Sequence, residues 1–217
     1  MKYVIGNWKA NKNHTESANW IETFQGEFSP NEQVTLVICP PFPFLSLVRN
    51  ALKGFPQVFI GAQNVSLFEE GSYTGEVTAK TLKEIVSFAI IGHSERRKNF
   101  HETDEELTRK VQLAKKYNLE PIYCVRDEKD PIPAGVTFVA YEPVAAIGTG
   151  QNEPPEKVIE MKKKMHLPDN CVFIYGGSVN ETNISSYLQT GEIDGFLVGK
   201  ASLDAHQFLA MAKAATK

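Results

Sequence analysis

The stretch "PIYCVRDEKDPIPAGVTFVAYE", Pro121 to Glu142, decides the fold. "PIYCV" and "TFVAYE" both read as strands. Between them lies little more than "RDEKDPIPAG", Arg126 to Gly135, with two prolines and a glycine. A helix is not expected there, because proline removes a backbone donor and clashes with the preceding turn. Parallel neighbours normally need a crossover of about a dozen residues or more. Ten extended residues reach about 33–36 Å, and a strand spans about 17–20 Å. The two strands can therefore run parallel, joined by an extended return. Their outer face then lacks a helix, and the linker, through Ile132, or another subunit must cover it.

The same strand pattern recurs along the chain. "YVIGNW", "VTLVIC", "VFIGAQ", "FAIIGH", "PIYCV", "TFVAYE", "VFIYGG" and "GFLVG" make eight strand candidates. Helices are expected around Ser17–Phe24, Phe44–Leu52, Ala79–Val86, Asp104–Tyr117, Pro155–Met165, Glu181–Leu188 and Asp204–Ala215. Alternating strands and helices argue for parallel βαβ units. Near-continuous apolar strands fit a sheet covered on both faces. The expectation is an α/β fold, a (β/α)8 barrel with about seven outer helices, forming one domain over residues 1–217. A doubly wound open sheet is the alternative; it is weakened because no G-x-G-x-x-G turn follows the first strand.

Composition narrows the function classes. The chain has 217 residues and a formal net charge of −3, which points to no nucleic-acid or anionic-membrane partner. Its longest apolar runs are strand-sized, too short to span a bilayer. The opening "MKYVIGNWKAN" does not read as a signal peptide. Cys39, Cys124 and Cys171 are odd in number and set in strand-like runs, which suggests free thiols in a reducing cytoplasm rather than a disulfide or metal site.

Active sites of such barrels form at the C-terminal strand ends. Strand one ends in "GNWKAN", strand four in "GHSERR", strand six in "YEPVAAIGTG", strand seven in "YGGSV" and strand eight in "VGKASL". These ends supply an amide, a lysine, a histidine, a carboxylate and glycine loops whose N–H groups can hold an anion. Such a set suits acid–base chemistry on a small phosphorylated substrate.

Together, "GNWK", "GHSERR", "YEPV-AIGTG" and "YGGSV" resemble the triosephosphate isomerase family over essentially the whole chain. The resemblance implies interconversion of dihydroxyacetone phosphate and D-glyceraldehyde 3-phosphate, in glycolysis and gluconeogenesis, without metal or organic cofactor. It implies that Glu142 is the base and His93 a neutral electrophile beside a helix N-terminus. Lys9 and Asn7 would stabilise the enediolate and bind substrate, and Glu95 would support the site, paired with Lys9 or with the bound substrate. Asn7 has a second reading, a buried amide that holds a loop. Gly148, Ser178, Gly199 and Lys200 would offer backbone N–H groups to the phosphate. Val144–Gly150 would close over the ligand. The long loop "NVSLFEEGSYTGEVT", with Tyr73, Thr74, Gly75 and Glu76 at its tip, implies by the same resemblance a homodimer.

The chain departs from the family pattern in places. The fifth helix is missing, and Arg126–Asp127 stands where the family has Gly-Glu. Ala145 replaces a tryptophan. Lys200 replaces a glycine, and its side chain is expected to face solvent. Two other readings stay open: another sugar-phosphate isomerase, and a non-enzymatic barrel that binds triose phosphate.

Overall fold

The computed structural model of the chain describes residues 1–143 and 152–216. Its strands are β1 (Lys2–Asn7), β2 (Val34–Cys39), β3 (Val58–Ala62), β4 (Phe88–Ile91), β5 (Glu120–Val125), β6 (Phe138–Tyr141), β7 (Val172–Tyr175) and β8 (Gly195–Val198). They pair in chain order, all parallel, and β8 returns to β1 to close a barrel. The open-sheet alternative is excluded by that closure.

Each strand is apolar on both faces because both faces are buried. Ile5, Val37, Ile90, Ile122, Ile174 and Leu197 fill the barrel interior. Their neighbours Val4, Leu36, Ile91, Tyr123, Phe173 and Phe196 point outward into the layer beneath the helices. At the N-terminal strand ends, Tyr3, Phe138, Phe88 and Phe59 meet edge to face and plug the barrel opposite the functional end.

The described residues form helices α1 (His14–Glu27), α2 (Leu45–Leu52), α3 (Ala79–Leu82), α4 (Ser94–Phe100), α5 (Asp104–Lys116), α6 (Pro155–Lys164), α7 (Ile184–Leu188) and α8 (Ala205–Ala214). Helices α1 and α5 each begin with a reciprocal capping box, Asn13 with Glu16 and Thr103 with Glu106.

Three helix expectations need correction. The expected Ala79–Val86 helix stops at Leu82, and the residues after it form a turn in which the Ile85 and Val86 N–H groups share the Leu82 carbonyl. The expected Glu181–Leu188 helix begins only at Ile184. The Asn180 side chain accepts the Thr182 and Asn183 N–H groups and holds the preceding residues in a turn. Finally, "SERRKNF" is itself a helix, α4, which was not anticipated.

Between β5 and β6 there is no helix, as expected. The linker is ordered by Asp130, which accepts from the Arg126 backbone N–H at 2.7 Å and from its guanidinium at 2.9 and 2.6 Å. Val136 is buried and Ile132 packs against the outer core, so the linker itself covers part of the face a helix would have covered. Cys39, Cys124 and Cys171 form no disulfide. No helix among the described residues is long and apolar enough to cross a membrane.

Candidate active site

The C-terminal strand ends surround a cavity of about 690 Å³ lined by Asn7, Lys9, His93, Glu142, Ser178, Gly199 and Lys200 among others. Residues far apart in sequence meet here because all eight strands point the same way.

Glu142 follows β6 directly and is 1% exposed. Its backbone N–H donates to the Val125 carbonyl at 2.8 Å, extending the ladder one residue past the strand. One carboxylate oxygen lies 3.0 Å from His93 Nε2, and the other accepts the Ser94 N–H at 2.9 Å. Gly176 makes room for it: a Cβ there would stand 3.0 Å from Glu142 Cγ and 3.3 Å from the Tyr141 carbonyl. Burial pushes the Glu142 carboxyl up, but His93, the Ser94 N–H and Lys9 outweigh it, and the net shift is downward.

His93 is the N-cap of α4, and its Nδ1 accepts the Glu95 N–H at 3.2 Å. An accepting Nδ1 places the proton of the neutral ring on Nε2, aimed at Glu142. Burial resists charging this ring, while the facing Glu142 carboxylate favours it, and the net push is upward. The backbone opposes that push, since a proton on Nδ1 would face the Glu95 N–H donor to donor. Helix α4 is held in place by buried Arg97, which donates to the Gly92 carbonyl, Asp104, the Tyr123 hydroxyl and the Cys124 carbonyl. Arg96 pairs with Glu102. Both arginines therefore serve the scaffold.

Lys9 adopts φ 53°, a left-handed conformation unusual for a residue with a side chain. Three contacts hold it. Its N–H donates to Asn7 Oδ1 at 3.0 Å, its carbonyl accepts from Gln63 Nε2 at 2.9 Å, and its Nζ bonds Glu95 Oε1 at 2.6 Å. Asn7 thus has the loop-holding role that its second reading proposed, while also lining the cavity. Gln63, which also donates to the Cys39 carbonyl at 2.9 Å, was not singled out from sequence. A lone glutamine at a strand end carries no motif, and its role appears only when β1, β2 and β3 are side by side. Glu95 touches Lys9 and is not among the residues lining the cavity.

Ser178 sits at φ 51° with its carbonyl held by Asn183 Nδ2 at 3.2 Å. Lys200 opens a short 3-10 turn, Lys200–Leu203, and keeps a negative φ, so replacing glycine there strains nothing. It is exposed, in keeping with a side chain that faces solvent, and it also borders the cavity. Gly148, Ala145 and the segment expected to close over the ligand lie outside the described residues. Tyr73, Thr74, Gly75 and Glu76 are exposed at the tip of their loop, where the Tyr73 ring stacks on Phe68 at 4.0 Å. Asp127, in place of the family's glutamate, accepts the Lys129 N–H inside its own turn. Among the described residues, no group of three or more His, Cys, Asp or Glu is placed to hold a metal ion.

A carboxylate, a neutral imidazole donor and a cation around one small cavity can move a proton between carbons and stabilise the oxyanion formed. The family model for triosephosphate isomerase matches residues 2–215. Proteins named triosephosphate isomerase from Mesomycoplasma hyopneumoniae (strain 7448) and Alkaliphilus oremlandii (strain OhILAs) are 39% and 38% identical to the chain. Each alignment covers 95% of the chain and 96% of the relative. A third protein of that name, from Carboxydothermus hydrogenoformans, is 34% identical over 97% of both chains.

Proposed function

The chain belongs to the triosephosphate isomerase family, and from that premise we propose how its site interconverts dihydroxyacetone phosphate and D-glyceraldehyde 3-phosphate, a step of glycolysis and gluconeogenesis. The observation that carries this reading is the pairing of Glu142 with His93 Nε2 at 3.0 Å inside the cavity.

Both carboxylate oxygens of Glu142 are occupied in this arrangement. A bound substrate carbonyl takes the His93 Nε2 proton donor, and Glu142 turns to the adjacent C–H. It removes that proton, and the electron pair moves to the carbonyl oxygen, giving an enediolate. His93, kept neutral once Glu142 has left its side, hydrogen-bonds that oxygen, and the Lys9 ammonium adds full charge. The hydroxyl proton on the other oxygen passes to this enediolate oxygen, and Glu142 then returns its proton to the neighbouring carbon, which leaves the carbonyl on the carbon first deprotonated. Backbone N–H groups at Ser178, Gly199 and Lys200 receive the phosphate, and the Lys200 side chain adds charge on the same wall. Gly148 is proposed to join them.

The protein is further proposed to act as a cytoplasmic homodimer. Tyr73 and Phe100 are 44% and 64% exposed, and Arg96 lies over the Phe100 ring at 4.6 Å. Exposed aromatics beside arginine suit an interface core. Sedimentation at several concentrations tests this; a clean monomer at micromolar protein overturns it.

Isomerisation in D2O tests the chemistry. In the proposed route the proton held on Glu142 exchanges with solvent during the life of the enediolate, so product carries solvent deuterium on the carbon next to its carbonyl. No turnover, or turnover without solvent exchange, overturns the reading.

A further inference from the structure

Glu153 ties together the two strands that support the base. Each of its three polar groups meets a different buried tyrosine. Its carboxylate accepts from the Tyr141 hydroxyl on β6 at 3.0 Å. Its backbone N–H donates to the Tyr175 hydroxyl on β7 at 2.9 Å. Its carbonyl accepts from the Tyr187 hydroxyl on α7 at 2.5 Å. Asn152, one residue earlier, donates to that same hydroxyl at 2.6 Å. The Tyr175 and Tyr187 rings stack at 4.8 Å. Gly177 leaves space for this junction, since a Cβ there would fall 2.4 Å from the Tyr175 hydroxyl.

Both strand residues adjoin the base. Tyr141 immediately precedes Glu142. Tyr175 immediately precedes Gly176, the residue against which Glu142 Cγ packs. A phenol buried in an apolar layer needs a partner, and an ionised carboxylate is a strong one. For Tyr141 that partner comes from beyond the active-site segment, from Glu153. Asp127, in the turn after β5, is engaged with Lys129. The junction therefore fixes the end of β6 from its outer side, where no helix follows β5.

We infer that Glu153 is a positioning residue of the isomerase: through Tyr141 and Tyr175 it holds the β6 and β7 ends so that Glu142 meets the substrate carbon correctly. This rests on Glu142 being the isomerase base.

The test compares wild type with Glu153→Ala, Glu153→Gln and Tyr141→Phe. Each is assayed for kcat, KM and inorganic phosphate released per isomer formed. That ratio reports loss of phosphate from the enediolate and does not depend on the fraction of folded enzyme. Glu153→Ala is expected to lower kcat about tenfold, the scale of one charge-assisted hydrogen bond, with KM changed less than twofold. The phosphate ratio should rise severalfold. Tyr141→Phe keeps the ring and removes the same bond, so it should reproduce the effect if Glu153→Ala folds poorly. Glu153→Gln retains an acceptor and should recover most of kcat. If wild type isomerises while Glu153→Ala and Tyr141→Phe match it in kcat and phosphate ratio, the inference is overturned and the isomerase reading stands. If wild type does not isomerise, it is the isomerase reading that fails.

Discussion

His93 Nε2 and Glu142 Oε1 stand 3.0 Å apart, two buried groups from different strand ends with one proton between them. Their other contacts fix which one donates. His93 Nδ1 accepts the Glu95 N–H, so Nε2 is the donor, and Glu142 is the acceptor, its second oxygen on the Ser94 N–H. The geometry of this pair is thus set by the first turn of α4.

This pairing has a pH consequence. Burial alone would raise the Glu142 pKa, and His93 is the largest influence holding it down. Replacing His93 by Gln removes that influence, so the Glu142 pKa rises. At a given acidic pH less of the base is then ionised, and the acid limb of kcat/KM should move to higher pH. The loss of the electrophile should also lower kcat about a hundredfold or more. An acid limb that stays in place or moves to lower pH contradicts the assignment.

Gly176→Ala tests how tightly the base is seated. The added methyl meets Glu142 Cγ at 3.0 Å and the Tyr141 carbonyl at 3.3 Å, and a buried strand end has little room to yield. Stability should fall by about 1–3 kcal/mol in urea titration. Turnover should fall about tenfold or more, because misplacement of a reacting group by a fraction of an ångström is costly. Unchanged turnover would show that Glu142 is not seated against Gly176.

Lys9 offers a separate test through Gln63. Gln63→Met keeps the volume but removes both donors, leaving the Lys9 and Cys39 carbonyls without them. The expected cost is about 1–3 kcal/mol of stability. With one hold on its left-handed backbone gone, Lys9 should bind substrate less well, raising KM about tenfold. A wild-type KM would place the loop's support entirely with Asn7 and Glu95.

The linker that stands in for a helix should matter to stability and not to chemistry. Asp130→Ala leaves the Arg126 backbone N–H and guanidinium without their acceptor. Urea unfolding should show a loss of about 1–3 kcal/mol, with kcat unchanged within twofold. A large fall in kcat at full stability would instead tie this linker to the site.

The parts readable from sequence were those with local signatures. Buried parallel strands are continuous apolar runs, so "VTLVIC" coincides with β2 and the other strands agree to within two residues at each end. The absent helix was legible because Pro131 and Pro133 forbid one. Helix α4 was not, because "SERRKNF" has no apolar stripe. It is stabilised by tertiary bonds of Arg97, by the His93 cap and by His101 at φ 56°. Glu142, His93 and Lys9 stood out because each ends a strand within a motif. Gln63 and Glu153 carry no motif, and their partners lie on other elements, so only the closed barrel brings their roles into view.

The most direct test of the central claim is the steady-state isomerisation of D-glyceraldehyde 3-phosphate by wild type and Glu142→Gln at neutral pH. Glutamine keeps the shape of the side chain and cannot accept the substrate proton as a base. Wild type should turn over, and kcat of Glu142→Gln should be lower by about a thousandfold, within the range for a positioned general base. Equal rates in the two proteins would contradict the assignment of Glu142 as the proton carrier.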